Sequence, residues 1–138
     1  MKLLIFQARR FWWKSFSQTL PDVDQVDVEQ EVSDAVVVFL HAEASDQEPE
    51  QEARVFRKTL KHIKWVANKG ALKSVVLHSF THLGGNNAEP QYAGDFIERM
   101  RKRLEDTGYQ ALSTPFGYFC EWDLRVYGES MAKVFKEF

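Results

Sequence analysis

A single cysteine, Cys120, occurs in 138 residues, so neither an intramolecular disulfide nor a Cys-x-x-Cys metal or redox pair can form. No apolar run approaches the roughly 20 residues a membrane helix needs. The apolar start Met1–Phe6 meets Arg9 and Arg10 early and has no small-residue cleavage site, so it reads as a strand rather than a signal peptide. A cytoplasmic protein is the expectation. A basic excess is also missing: 18 Lys and Arg against 20 Asp and Glu give a net charge of −2. That balance argues against a DNA-binding protein or a coat for long RNA, which meets many phosphates. Any RNA role is confined to a local patch or to the end of an RNA. No Walker loop, GxGxxG, GxSxG, HExxH or helical His-x3-His is present, which removes nucleotide-dependent, triad-hydrolase and zinc chemistry. No metal or organic cofactor is expected.

What is present is a foldable chain: 44% hydrophobic and 28% charged residues are ordinary for one globular domain spanning 1–138. Leu3–Ala8 predicts a buried strand, and Phe11–Leu20 a second strand or an irregular stretch. The acidic run Asp22–Asp34 reads as a solvated connection. Ala35–Leu40 is the most β-prone run and predicts a central strand. Apolar positions Val55, Phe56, Leu60, Ile63, Val66 and Ala67 follow a 3.6 period, predicting a helix over Glu48–Asn68 that Gly70 stops. Ser74–His78 reads as a strand. Pro90 opens a second helix with the stripe Tyr92, Phe96, Met100 and Leu104, ended by Gly108. Tyr109–Thr114 and Tyr118–Tyr127 predict an antiparallel hairpin around Pro115-Phe116-Gly117, and the last ten residues a short helix or tail. The order implies a single-domain α/β fold with a mixed sheet and two main helices.

Chemistry is expected where strands end, at His41–Asp46 and His78–Gly85, with Pro115–Trp122 as a third wall. His82 is the best general acid or base, lying past a strand and before Gly84 and Gly85; the alternative is a loop histidine bonded to backbone. His78 reads as packed within its strand, and His41 and His62 as surface or half-buried. Asp46 reads as a helix cap, whereas Glu43 could hold an amine or hydroxyl. Cys120 is a nucleophile only if a base such as His82 lies near; otherwise it is an inert thiol. Arg9-Arg10-Phe11-Trp12-Trp13-Lys14 could stack on bases, or cover a core edge or dimer face. The run Arg99–Arg103 offers a basic helix face for RNA, or a merely solvated one.

Several of these segments, taken together, carry a resemblance. Phe80-Thr81-His82-Leu83 after its strand is similar to a segment that usually reads Tyr-Pro-Tyr-Ala-His-Leu in the editing domain of archaeal-type threonyl-tRNA synthetases. Thr114-Pro115-Phe116-Gly117-Tyr118-Phe119 resembles that family's Ala-Pro-Phe-Gly-Trp-Tyr. Ala35–Phe39 leading to Ala42-Glu43-Ala44-Ser45-Asp46 resembles its strand ending in Val-Glu-Lys-Ser-Asp, and Met1–Ile5 fits its opening. The similar segments run through nearly the whole chain in the family's order and spacing.

The resemblance implies a D-aminoacyl-tRNA deacylase-like fold and a domain that removes serine wrongly attached to threonine tRNA. Its pocket positions fall on Ala42, Glu43, Phe80, Thr81, His82, Tyr118 and Phe119. His82 would orient the terminal adenosine or a water, and the Ala42 backbone would bind the aminoacyl group. The implied partners are the tRNA 3′ end, a threonyl-tRNA synthetase and a second copy in a homodimer, with the domain standing alone and acting in trans. Four departures stand out. Cys120 occupies the place of the family's lysine, Lys133 falls at or near its acidic residue, Val126-Tyr127-Gly128-Glu129 stands where the family has Lys-Gly-His-Pro, and Gln7-Ala8-Arg9 replaces a His-Ala-Asp segment. Lys133 is accordingly expected to supply the missing pocket cation, beside His82 and Cys120 as catalytic positions. The competing expectations are a pocket that binds an aminoacyl-tRNA or nucleoside without hydrolysis, and a deacylase for D-aminoacyl-tRNA.

Overall fold

The computed structural model describes residues 1–138. Six strands form one mixed sheet: β1 (Lys2–Gln18), β2 (Glu29–His41), β3 (Ser74–Ser79), β4 (Gln110–Ser113), β5 (Tyr118–Val126) and β6 (Lys133–Glu137). Two helices, α1 (Pro49–Lys69) and α2 (Pro90–Asp106), cover one face. Each helix has proline in its first turn, where the missing N–H has no intrahelical partner to lose. Neither helix is long and apolar enough to cross a membrane. The α/β class with a mixed sheet and two main helices is as the element order predicted.

Four details differ from expectation. The first two expected strands are one strand, β1, paired with β2 in a single register from Lys2↔His41 to Lys14↔Glu29. The acidic connection is shorter than expected, because β2 starts at Glu29. Tyr109–Tyr127 is no hairpin: β4 lies parallel to β3 at one edge, whereas β5 pairs antiparallel with β1. Adjacency in sequence suggested the hairpin, but Thr114 is drawn along β3 by its N–H bond to the Leu77 carbonyl, 3.0 Å. The last residues form β6, paired with β1 over Lys2–Phe6.

β1 organises the sheet. One of its sides holds β2 from Lys2 to Lys14, and the other holds β6 on its first half and β5 on its second. At Arg9 and Asp34 both strands change phase. Phe6 and Ala8 face the helix-free side before this point, and Phe11 and Trp13 after it; across the way the facing residues pass from Phe39 and Val37 to Val32. Asp34 makes the switch with φ of 52°, in the left-handed region that asparagine and aspartate tolerate best.

Beyond the switch the sheet coils over itself. Trp122 pairs with Trp13, which pairs with Gln30. On a flat sheet Gln30 and Phe39 would lie about 30 Å apart. The Trp122 ring nevertheless sits 5.3 Å from that of Phe39. Coiling thus closes a second core of Ala8, Phe11, Trp13, Val37, Phe39 and Val76 on the face the helices leave open. It also allows the short Thr114–Gly117 connection to pass from β4 to β5, a span of about 19 Å on a flat sheet. Gly117 serves that passage with φ of 81°, and an added Cβ would lie 2.9 Å from Val23 Cγ1.

Candidate functional site

The coil leaves a cavity of about 330 Å³ at its open end, within the usual range for ligand pockets. Its walls come from segments distant in sequence. Ala42 follows β2, and Phe80, Thr81 and His82 follow β3. Tyr118, Phe119, Cys120 and Trp122 come from β5, with Thr19 and Leu20 beyond β1 and Ala88, Pro90 and Ala93 at the start of α2. No Asp, Glu, Lys or Arg is among the lining residues. Its polar lining residues include Thr19, His78, Ser79, Thr81, His82, Asn87 and Cys120.

His82 is exposed at the rim, its ring edge-on to Phe80 at 5.2 Å between centroids. His78 is 6% exposed, wedged edge-on against Phe39 and Trp122, with Nδ1 and Thr114 Oγ1 hydrogen-bonded at 2.8 Å. Burial pushes its pKa down to about 4, so the imidazole is neutral at neutral pH. Burial likewise raises the Cys120 thiol above its ordinary value, which leaves little thiolate for attack. The Tyr118 hydroxyl is engaged outside the cavity, donating to the Asp24 carbonyl at 2.9 Å and accepting from the Val26 N–H at 3.0 Å.

The loop carrying Thr81 and His82 is held by a residue whose role the sequence conceals. His41, expected at a surface or half-buried position, is fully buried. Its Nδ1 accepts the Leu83 N–H at 3.2 Å, so the proton sits on Nε2, which donates to the Asn86 carbonyl at 2.7 Å. The Ala88 N–H adds a bond to the Ala42 carbonyl, 2.9 Å. The chain after β3 is thereby stitched to the chain after β2. His41 ends an apolar run, and nothing in its neighbours announces a loop across the sheet.

Two expected site residues lie elsewhere. Glu43 follows Ala42 but does not line the cavity: its carboxylate takes Lys2 Nζ and the Met1 α-amino group, both at 2.7 Å. Burial opposes its charge, yet these two hydrogen bonds hold its pKa below the ordinary value. Asp46 does more than cap a turn. It is 2% exposed, accepts from the Met1 α-amino group at 2.8 Å and from the Glu43 N–H at 2.8 Å, and so helps clamp this corner. Lys133 sits on β6 opposite Phe6, exposed, with Nζ donating to the Tyr127 carbonyl at 2.9 Å. It is not among the cavity residues, so the cation of the expected swap is absent from the wall. The aromatic-basic cluster of β1 is also committed: Trp13 is buried, Trp12 donates to Glu29, and Arg10 pairs with Glu31 and Asp123.

The whole of residues 1–138 matches the Archaea-specific editing domain of threonyl-tRNA synthetase. The chain belongs to that family. A threonine–tRNA ligase of Staphylothermus marinus is 27% identical over 140 residues, covering 99% of this chain and 22% of the ligase. One from Hyperthermus butylicus is 25% identical over 144 residues, covering 100% of this chain and 23% of the ligase. The chain thus spans less than a quarter of the length of these relatives. Among solved structures, a c-Myc DNA unwinding element binding protein superposes with a TM-score of 0.62 over 99% of this chain and 98% of its own, at 15% identity. That likeness shows a shared fold. Membership of the editing-domain family ties the chain to aminoacyl-tRNA editing in general.

Proposed function

We propose that this editing-family domain hydrolyses the ester of seryl-tRNA(Thr), sparing threonyl-tRNA(Thr). The observation that carries the reading is the convergence of Ala42, Phe80, Thr81, His82, Tyr118 and Phe119, from three separate segments, on one cavity without charged side chains. A cavity without charged side chains suits the neutral adenine, ribose and ester carbonyl of an aminoacylated terminal adenosine. In the reaction, water oxygen bonds to the carbonyl carbon, the bond from that carbon to the ribose oxygen breaks, and a proton ends on the ribose oxygen. Serine and free tRNA leave. His82 at the rim orients the terminal adenosine or the attacking water. Selection against threonine is steric, since one methyl group is worth only about 1–3 kcal/mol in binding and a second hydrolytic sieve multiplies that.

The reading includes the tRNA 3′ end and a threonyl-tRNA synthetase as partners, and a homodimer. Light scattering on the purified chain tests the last; a monomer-sized species would sink it. The central test is release of labelled serine from seryl-tRNA(Thr), with threonyl-tRNA(Thr) alongside. Release that spares threonine and falls about 100-fold or more in His82→Ala supports the assignment. A rate no faster than spontaneous hydrolysis refutes it. One observation favours a second reading, binding without turnover: Cys120, with its raised pKa, stands where the family has a lysine. Retention of the aminoacyl-tRNA without serine release would select that reading.

A further inference from the structure

The cations of the sequence are not equally free. In the tract Arg99–Arg103, Arg99 pairs with Glu52, and Arg101 pairs with both Glu98 and Glu105. From Ala53 to Lys73, by contrast, there are seven Lys and Arg and no Asp or Glu. None of the seven enters a salt bridge. Six of them belong to α1: Arg54, Arg57, Lys58, Lys61, Lys64 and Lys69. At 100° per residue these six fall within an arc of about 140°, opposite the stripe of Val55, Thr59, Ile63 and Val66 that enters the core. Trp65 stands in the same arc, 44% exposed, stacked on His62 at 5.7 Å and 20° between rings and flanked by Lys69 Nζ at 6.0 Å. A chain with a net charge of −2 therefore concentrates unpaired positive charge, with a partly exposed indole among it, on one side of one helix.

We propose that this outer face of α1 docks the phosphate backbone of the acceptor arm of tRNA, with Trp65 as a stacking platform; the proposal rests on the reading that the cavity takes the tRNA 3′ end. Position favours this partner. The start of α1 adjoins the cavity rim, where Gln47 Oε1 accepts the Glu89 N–H at 3.0 Å next to the lining residue Pro90. From there the row Arg54–Lys69 runs outward for about 22 Å. A duplex held by its single-stranded end in the cavity presents its phosphates over such a range. Unpaired lysines and arginines release counterions on meeting phosphate, and an exposed indole accepts a base or ribose face without sequence preference. A membrane surface would call for a continuous apolar face beneath the charges, and here Trp65 is the one exposed large hydrophobic residue of the helix.

Fluorescence anisotropy on the full chain tests this, using 5′-labelled tRNA(Thr) and a 5′-labelled short single strand ending in CCA, between about 50 and 200 mM salt. The triple variant Lys61→Ala, Lys64→Ala, Lys69→Ala should weaken tRNA about tenfold or more and lower the salt slope by about 2 to 3, leaving the short strand unchanged. Replacing the same three lysines by arginine should hold both quantities and controls for folding. Parental tRNA affinity and slope in the alanine variant, or an equal loss on the short strand, overturn the proposal. So does a parent chain that binds anionic lipid vesicles but not tRNA. Serine release with no effect of the lysines refutes the docking face alone; lysine-dependent tRNA binding without serine release refutes the hydrolytic reading alone.

Discussion

Replacing His78 by glutamine removes the one strongly shifted histidine from the cavity wall, and the consequence can be worked out from its burial. The folded pKa is about 4 against an ordinary value of 6.5. Between these two values the unfolded chain binds a proton that the folded chain refuses. Stability is therefore full above about pH 6.5 and falls as the pH drops toward 4. Integrating that difference from pH 7 to pH 5 gives a loss of about 2 kcal/mol for this group. A residue of 6% exposure needs no large discount for solvent screening. Urea unfolding at pH 7, 6 and 5 measures it, and 2 kcal/mol corresponds to a midpoint shift of roughly 1 M. His78→Gln pays a fixed cost for altered packing, but that cost does not vary with pH. The parent should lose about 2 kcal/mol more than the variant over this interval. His62, whose pKa is lowered by burial and by Lys136, titrates in both proteins and cancels. Carboxylates such as Glu43, with a lowered pKa, act below the interval. Equal pH slopes for parent and variant would refute the claim that His78 is neutral and desolvated in the folded protein.

Two further substitutions address the scaffold of the site. His41→Ala empties a fully buried position and strands the Leu83 N–H and the Asn86 carbonyl; it should cost about 2–4 kcal/mol in chemical unfolding and lower deacylation by displacing the His82 loop. Unchanged stability would show that the loop holds itself. Gly117→Ala adds a Cβ at a left-handed φ of 81° and 2.9 Å from Val23. A loss of about 1–3 kcal/mol is expected, read as a lower thermal midpoint, whereas a neutral result would mean that the β4–β5 connection is not constrained as described.

Much of the fold was open to sequence reasoning because its causes are local. The apolar period of Val55–Ala67, Pro90 at the start of the second helix and the β-branched run Ala35–Leu40 act within a few residues, and the elements form where they predict. The absence of cysteine pairs, apolar spans and zinc spacings was equally plain. The family resemblance assigned seven pocket positions, and six of them line one cavity, Glu43 being the one that does not. What tertiary structure alone decided were the features that depend on how the sheet bends. The phase switch at Arg9 and Asp34 needs both strands at once, and from one strand it looks like a break. The hairpin around Pro115–Gly117 was the natural reading of two adjacent runs, yet coiling brings opposite edges of the sheet together and sends them to different partners. Glu43 and Asp46 are claimed by the Met1 amine more than forty residues away. Which cations stay free was likewise invisible, since the acids that neutralise Arg10 and Arg99 are brought to them by pairing across the fold. Local periodicity determines the elements; charge partners, buried histidines and the cavity exist only once distant segments have met.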